Sequence, residues 1–221
     1  MSLVNRNQLL AATFLIAASM ILHAQNTSSW PSAGIVQPTP ITSAQRWHWF
    51  IGSTIGPQSL AGGVFSAGFG TALNMPREYH ATWQGFGQRY GMRLTGISTG
   101  NAMEAGLGAV WGEDPRYSRV PNHPFRSRIE NAAKLTFLAY QSDARLKPAY
   151  ARFIGIVGNN ILSNAWRPDS EADWHHAVFR SALGLAGRMG SNTFQEFWPD
   201  IRVRLFHRRH GRSSPFRTAS N

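Results

Sequence analysis

Apolar and polar positions along the chain fall into blocks punctuated by proline and glycine, and within the blocks the apolar residues recur at helical spacing. Gly56-Pro57 opens an uncharged block that runs to Asn74, and Pro57 suits a first helical position. A second block begins at Pro76, with Glu78 in its first turn and Arg89 in its last, and is expected to end near Gly91. Further helices are expected over about 97–111, 125–141, 148–166 and 170–197, closed respectively by Gly112, by a change of pattern, by Pro168 and by Pro199. Only Arg202 to Phe206 alternates in the strand manner. The 26 alanines against 8 valines favour helix over strand in the same way. These patterns predict a mainly α protein, a compact bundle of about five to six Gly/Ala-rich helices over residues 46–201.

Within those helices small residues recur every four positions: Gly52 and Gly56; Gly62, Ser66 and Gly70; Gly87 and Gly91; Gly96, Gly100, Gly108 and Gly112; Gly187 and Ser191. Glu104 fills the vacant slot of the fourth series. That spacing lines one helical face with small side chains and lets another backbone approach closely. Each interior glycine costs about 1 kcal/mol relative to alanine, so the series calls for compensating helix contact. Arg77, Arg89, Arg93, Glu104, Arg152, Arg180 and Arg188 interrupt every candidate membrane span except the first. The expectation is therefore a water-soluble bundle, with a membrane-contacting one as the alternative. In that alternative the uncharged 47–76 segment inserts, with Trp47, Trp49 and Phe50 at the interface. Asn159, Asn160, Asn164 and Asn192 are unusual inside helices and are expected to join a polar network with Arg152, Arg180 or Arg188 that fixes the register of the bundle.

The flanks read differently. Arg6 followed by the apolar run Leu9 to Leu22 has the form of a secretory signal peptide over residues 1–24, with cleavage expected after Ala24. An uncleaved anchor is the alternative. Residues 25–45 read as a Ser/Thr/Pro-rich linker, and residues 202–221 as a basic tail without acids. The net charge of +11 suggests nucleic acid at first sight, but it is unevenly placed. Without Arg6 and the six tail arginines, 15 basic residues face 11 acidic ones, leaving +4. An exported protein with such a tail is expected to meet an anionic lipid or polysaccharide surface through Arg202, Arg204, Arg208, Arg209 and Arg212, and nucleic acid is disfavoured. The absence of cysteine excludes a disulfide scaffold, a thiolate metal site and a cysteine nucleophile.

Candidate chemistry is confined to two clusters. Asp169, Glu171, Asp173, His175 and His176 offer carboxylates and imidazoles suited to a metal, although the same residues serve as helix-capping groups. Glu113 and Asp114 lie on a loop after a helix, with His123 downstream and His80 upstream as partners for acid/base work; a simple turn, with Arg116 paired to Glu113, is the plainer reading. No nucleophile elbow, phosphate-binding loop or dinucleotide fingerprint is present, and no cofactor is called for.

Gly56-Pro57-Gln58-Ser59-Leu60, Gly112-Glu113-Asp114-Pro115-Arg116-Tyr117, Tyr150-Ala151-Arg152 and Trp166-Arg167-Pro168-Asp169, together with the signal peptide, resemble a group of uncharacterised exported bacterial proteins. The resemblance covers about residues 45–201 and implies an exported helical protein, with no activity or site residue attached. The leading expectation is an exported protein of the periplasm or envelope that binds or packs, compatible with a homo-oligomer. A periplasmic hydrolase using Glu113, Asp114 and a histidine is the alternative.

Overall fold

The computed structural model describes residues 40–207, so the expected signal peptide, most of the linker and the tail from Arg208 onward lie outside the described residues. Helix α1 covers Ser43–Ile55, beginning inside the stretch that composition marks as linker. Thr42 explains the early start, because its hydroxyl accepts from the Gln45 amide at 3.2 Å while the Gln45 side chain accepts from the Thr42 amide at 3.1 Å. Gly56 and Pro57 then break the chain direction, and α2 covers Pro57–Ala72.

The helix expected from Pro76 to Gly91 does not exist as such. Only a single turn forms at Arg77–Tyr79, His80 sits at φ 56°, and the chain re-enters helix at Trp83. The Arg89 guanidinium holds this turn open, donating to the carbonyls of Met75 (2.7 Å), Pro76 (2.7 Å) and His80 (2.8 Å). Once started from the Thr82 cap, α3 runs through Gly91 for 29 residues, Trp83–Trp111, and fuses two expected helices. It stops at Gly112, whose φ of 77° is the left-handed conformation that glycine supplies at helix ends.

Helix α4 is shorter than expected, Phe125–Phe137, because the chain turns into an antiparallel hairpin. Its strands are β1 (Leu138–Tyr140) and β2 (Leu146–Pro148), with Leu138 opposite Pro148. Helix α5 follows at Tyr150–Leu162, and α6 at Trp174–His207. Asp173 caps α6, accepting from the His176 amide at 2.8 Å. Pro199 was expected to end this helix and instead lies within it. Pro199 has no N–H to donate, so the Gln195 carbonyl four residues earlier loses its helical donor. On the same turn the Glu196 carbonyl accepts from Arg119 (2.7 and 3.1 Å) and Arg128 (2.7 Å), which fasten the helix beside the proline. The protein is thus mainly α, as its composition implies, with six helices among the described residues.

α3 is the spine. α1 and α2 lie end to end along it, in the opposite direction, tied by Asn101 to Thr54 (3.1 Å) and by Arg93 to the Ser59 carbonyl (3.1 Å). α5 crosses α3 where Gly100 meets Gly155: a Cβ on Gly155 would lie 2.7 Å from the Gly100 carbonyl oxygen. α6 returns antiparallel to α5 through Gly184, which faces Ile156. α4 and the hairpin cover one end of the bundle, called here the hairpin end. The Arg77–Tyr79 turn and the α5–α6 connection form the far end.

The small-residue series therefore divides. Gly155 has no room for a methyl group, whereas Gly52, Gly87, Gly91 and Gly187 have nothing within 4 Å of an added Cβ. Gly155→Ala should lower the thermal stability of the folded protein by about 1–3 kcal/mol through overpacking. Gly187→Ala should raise it by up to about 1 kcal/mol through helix propensity. Circular-dichroism melts of the two variants read the difference.

Candidate functional surface

The interior of this bundle is polar. The largest fully buried side chains are Glu196, Asn192, Thr71, Thr136 and Ser163, while the buried apolar residues are mostly alanine. Two carboxylates organise it. Glu104, one turn beyond Gly100 on α3, accepts from Arg152 of α5 at 3.0 Å and from Arg188 of α6 at 2.9 Å. The two guanidiniums continue the network. Arg152 donates to the last carbonyls of α4, at Leu135 (2.6 Å) and Thr136 (3.2 Å). Arg188 donates to the Pro115 carbonyl (2.7 Å) and lies 5.6 Å from the centre of the Trp49 ring. Near the hairpin end Glu196 accepts from Arg128 Nε (2.7 Å), the Tyr117 hydroxyl (2.8 Å) and the Val120 amide (3.2 Å). Burial and that hydrogen bond to a carboxylate push the Tyr117 phenol well above its ordinary range.

The residues proposed for acid/base work are engaged elsewhere. The Glu113 carboxylate accepts from the Ala151 amide at 3.0 Å, capping α5 from outside the helix, and the Glu113 carbonyl accepts from Arg46 at 2.8 Å. Burial raises the Glu113 pKa, opposed mainly by that amide. Asp114 holds Arg116 through both carboxylate oxygens, at 2.6 and 2.9 Å; the expected partner of Arg116 had been Glu113. His80 belongs to the far end, where its carbonyl accepts from Arg89. Arg89 and Gly112 are separated along α3 by roughly 35 Å of helix rise. His123 sits exposed on a turn, its amide bonded to the Val120 carbonyl. The structure does not bring these four residues to one cleft.

The metal candidates are dispersed too. Glu171 pairs with Arg167 at 2.8 Å, and Asp173 is used by the cap and by the His176 ring at 2.8 Å, contacts that hold its carboxyl below the usual range. Among the described residues no group of three or more His, Asp or Glu is arranged to hold a metal ion. The expected asparagine network is partly as drawn. Asn164 accepts from Arg180, but Asn192 bonds Thr136 at 3.1 Å, and Asn159 Oδ1 has no partner.

What sequence reasoning missed is the outside. From Ser43 to Leu73, along α3, along α5 and along α6 from Trp174 to Pro199, no Asp, Glu, Lys or Arg is exposed. The exposed side chains there include Phe65 and Phe69 on α2, Ile154, Val157 and Ile161 on α5, and Val178, Phe179, Leu183 and Phe194 on α6. These uncharged stretches of α1, α2, α3, α5 and α6 form a belt with aromatic borders, which α4 interrupts beside the C-terminal half of α6. Trp83 (53 % exposed) and Trp174 (66 %) stand at the far end, and Trp47 (61 %) and Trp111 (44 %) at the hairpin end. From Trp174 to Phe194 the α6 face spans roughly 30 Å. The signal was in the sequence as helices whose only charges fall on the small-residue face, such as Glu104 in the Gly96–Gly100–Gly108 register.

Glu104→Gln should cost about 3–5 kcal/mol of stability, because it leaves two buried guanidiniums without their shared counter-charge. Glu113→Gln keeps an acceptor for Ala151. The raised pKa means that ionising Glu113 opposes folding, a penalty absent at acid pH and growing as pH rises from its ordinary value through its raised one. The variant should lose that slope in melts taken across pH while keeping the fold. No family model, curated protein or solved structure matches the chain.

Proposed function

We propose that the protein is exported and resides in the cell envelope as a helical bundle seated in the apolar layer of a membrane, where it packs or binds rather than catalyses. The observation that supports this reading is the inversion of polarity: buried ion pairs inside, an uncharged aromatic-bordered belt outside. Buried polar groups and large exposed apolar patches are the informative departures from ordinary soluble packing. Both follow from one environment. In hydrocarbon, backbone and charged groups must find partners within the protein, and ionisable side chains turn towards the bundle interior. The Glu104–Arg152–Arg188 and Glu196–Arg128 clusters do so.

The belt height on α6, roughly 30 Å, equals the hydrocarbon thickness of a typical bilayer. The spacing of Trp83 and Trp111 along α3, roughly 42 Å, suits the thickness including headgroups. No helix among the described residues is long and apolar enough to cross a membrane. α2 is uncharged but has only 16 residues, and α3 and α6 are long but carry the inward arginines that lower their hydropathy. The reading therefore rests on the bundle acting as a unit. It also replaces the expected inserting segment: 47–76 contributes one side of the belt, not a span of its own.

Full-length protein expressed in a bacterial host should remain with the membrane pellet after carbonate washing and leave it only in detergent. Leu183→Lys places a charge on the belt. It should reduce membrane-retained protein by on the order of a hundredfold, since a mid-bilayer lysine costs about 2.5–3.5 kcal/mol. On a water-facing helix the same change is worth within about 0.5 kcal/mol. Recovery of wild type as a detergent-free soluble monomer or closed oligomer, with Leu183→Lys unchanged, would overturn the proposal.

A further inference from the structure

Exposed charges flank the belt unequally. Among the described residues the hairpin end exposes Arg126, Lys134, Arg145, Lys147, Arg202 and Arg204 against Glu130, Asp143 and the half-exposed Asp200 carboxylate, whereas the far end exposes Arg77 against Glu78, Asp169 and Asp173. We propose that the hairpin end is a docking face for the anionic headgroup layer of a phospholipid bilayer, so that the bundle takes up one orientation; this rests on the membrane-seated reading above.

Three observations lead to a lipid surface as the occupant. The cations of the hairpin end adjoin the uncharged belt, with Trp111 and Trp47 between, which is the order of layers met on leaving a bilayer: hydrocarbon, interface, headgroups. A polysaccharide or nucleic acid has no apolar layer to match the belt. The charge is also available. Arg126 and Lys147 each share an exposed helix- or hairpin-type pair, with Glu130 at 2.9 Å and Asp143 at 3.1 Å, and such pairs contribute little and leave the cation open to a second anion. Arg202 and Arg204 project from the last turns of α6 and are exposed. Finally, the chain that continues beyond α6 leaves from this same end, and residues 208–221 add Arg208, Arg209, Arg212 and Arg217 with no acid. The exposed cations of the fold thus fall at the end from which the basic sequence 208–221 continues, and the far end has a net excess of acids.

The test uses full-length protein and two vesicle compositions, phosphatidylcholine alone and phosphatidylcholine with three parts in ten phosphatidylglycerol, read by flotation. Each basic residue near an anionic surface strengthens binding by about fivefold. Wild type should partition at least tenfold more strongly into the anionic vesicles at low salt, and raising the salt should erase that preference without releasing protein from either vesicle. Lys134→Gln/Arg202→Gln/Arg204→Gln should lower the preference by on the order of a hundredfold, or abolish it, with binding to neutral vesicles unchanged. Trypsin added outside the anionic vesicles after insertion should cut within one end only. Equal partition into both compositions, or an unchanged preference in the triple variant, would overturn the docking face and leave the seated bundle standing. Failure to float with either composition would overturn the membrane reading itself.

Discussion

The Glu104 carboxylate holds the bundle together, and the rest of the architecture is arranged so that it can. It stands where α3, α5 and α6 converge, and one oxygen receives both the Arg152 and the Arg188 guanidiniums. A carboxylate can reach both only if the helices approach within a small-residue distance, which Gly100 and Gly155 permit one turn away. The two arginines in turn satisfy what the fold leaves open. Arg152 collects the carbonyl end of α4, and Arg188 ties the loop at Pro115 to the Trp49 ring. Glycine spacing and buried charge are therefore one device. Close backbones bring the ions together, and the ions make the register unique.

The same logic recurs at both ends. Arg89 gathers the carbonyls of the far-end turn, and Arg128 and Arg119 fasten Glu196 on the turn before the proline in α6. Irregular backbone is closed by guanidinium forks, which offer five donors in fixed geometry. A bundle whose buried charges are paired internally has less need of large apolar side chains in its centre. That frees Phe, Ile, Leu and Val for the outside, and the belt follows from the interior.

Much of this was legible. The mainly α class followed from alanine content and spacing, the position of Pro57 and Gly112 marked true helix ends, and the four-residue glycine register pointed to close helix contact. The errors were local and had definite causes. Pro76 looked like a helix start, but the partners of Arg89 that hold the turn open lie on both sides of it. Pro199 looked like a stop, but α6 continues through it, and the arginines that fasten the preceding turn come from residues about seventy or eighty positions earlier. Residues 138–140 continued an apolar stripe, and the hairpin that captures them pairs them with 146–148. For Glu113 and Asp114 the plainer reading, a turn with an Arg116 pair, came nearer than the catalytic alternative, but the pair is made by Asp114, and the use of Glu113 as a cap for α5, 38 residues on, has no local signal.

Sequence alone determined the helical class, the spacing that brings backbones together and the concentration of basic residues after α6, since each depends on residues within a few turns of one another. Which face of each helix points inward is a different matter. An amphipathic helix is read on the premise that its apolar side is buried, and on α5 and α6 that premise is reversed: Arg152, Arg188, Gly155 and Gly184 pack inward, while Ile154, Val157, Ile161, Val178, Phe179 and Leu183 are exposed. Only the tertiary structure decides this. The preference of Glu104 for the interior exists only when Arg152 and Arg188, 48 and 84 residues away, are already in place to receive it.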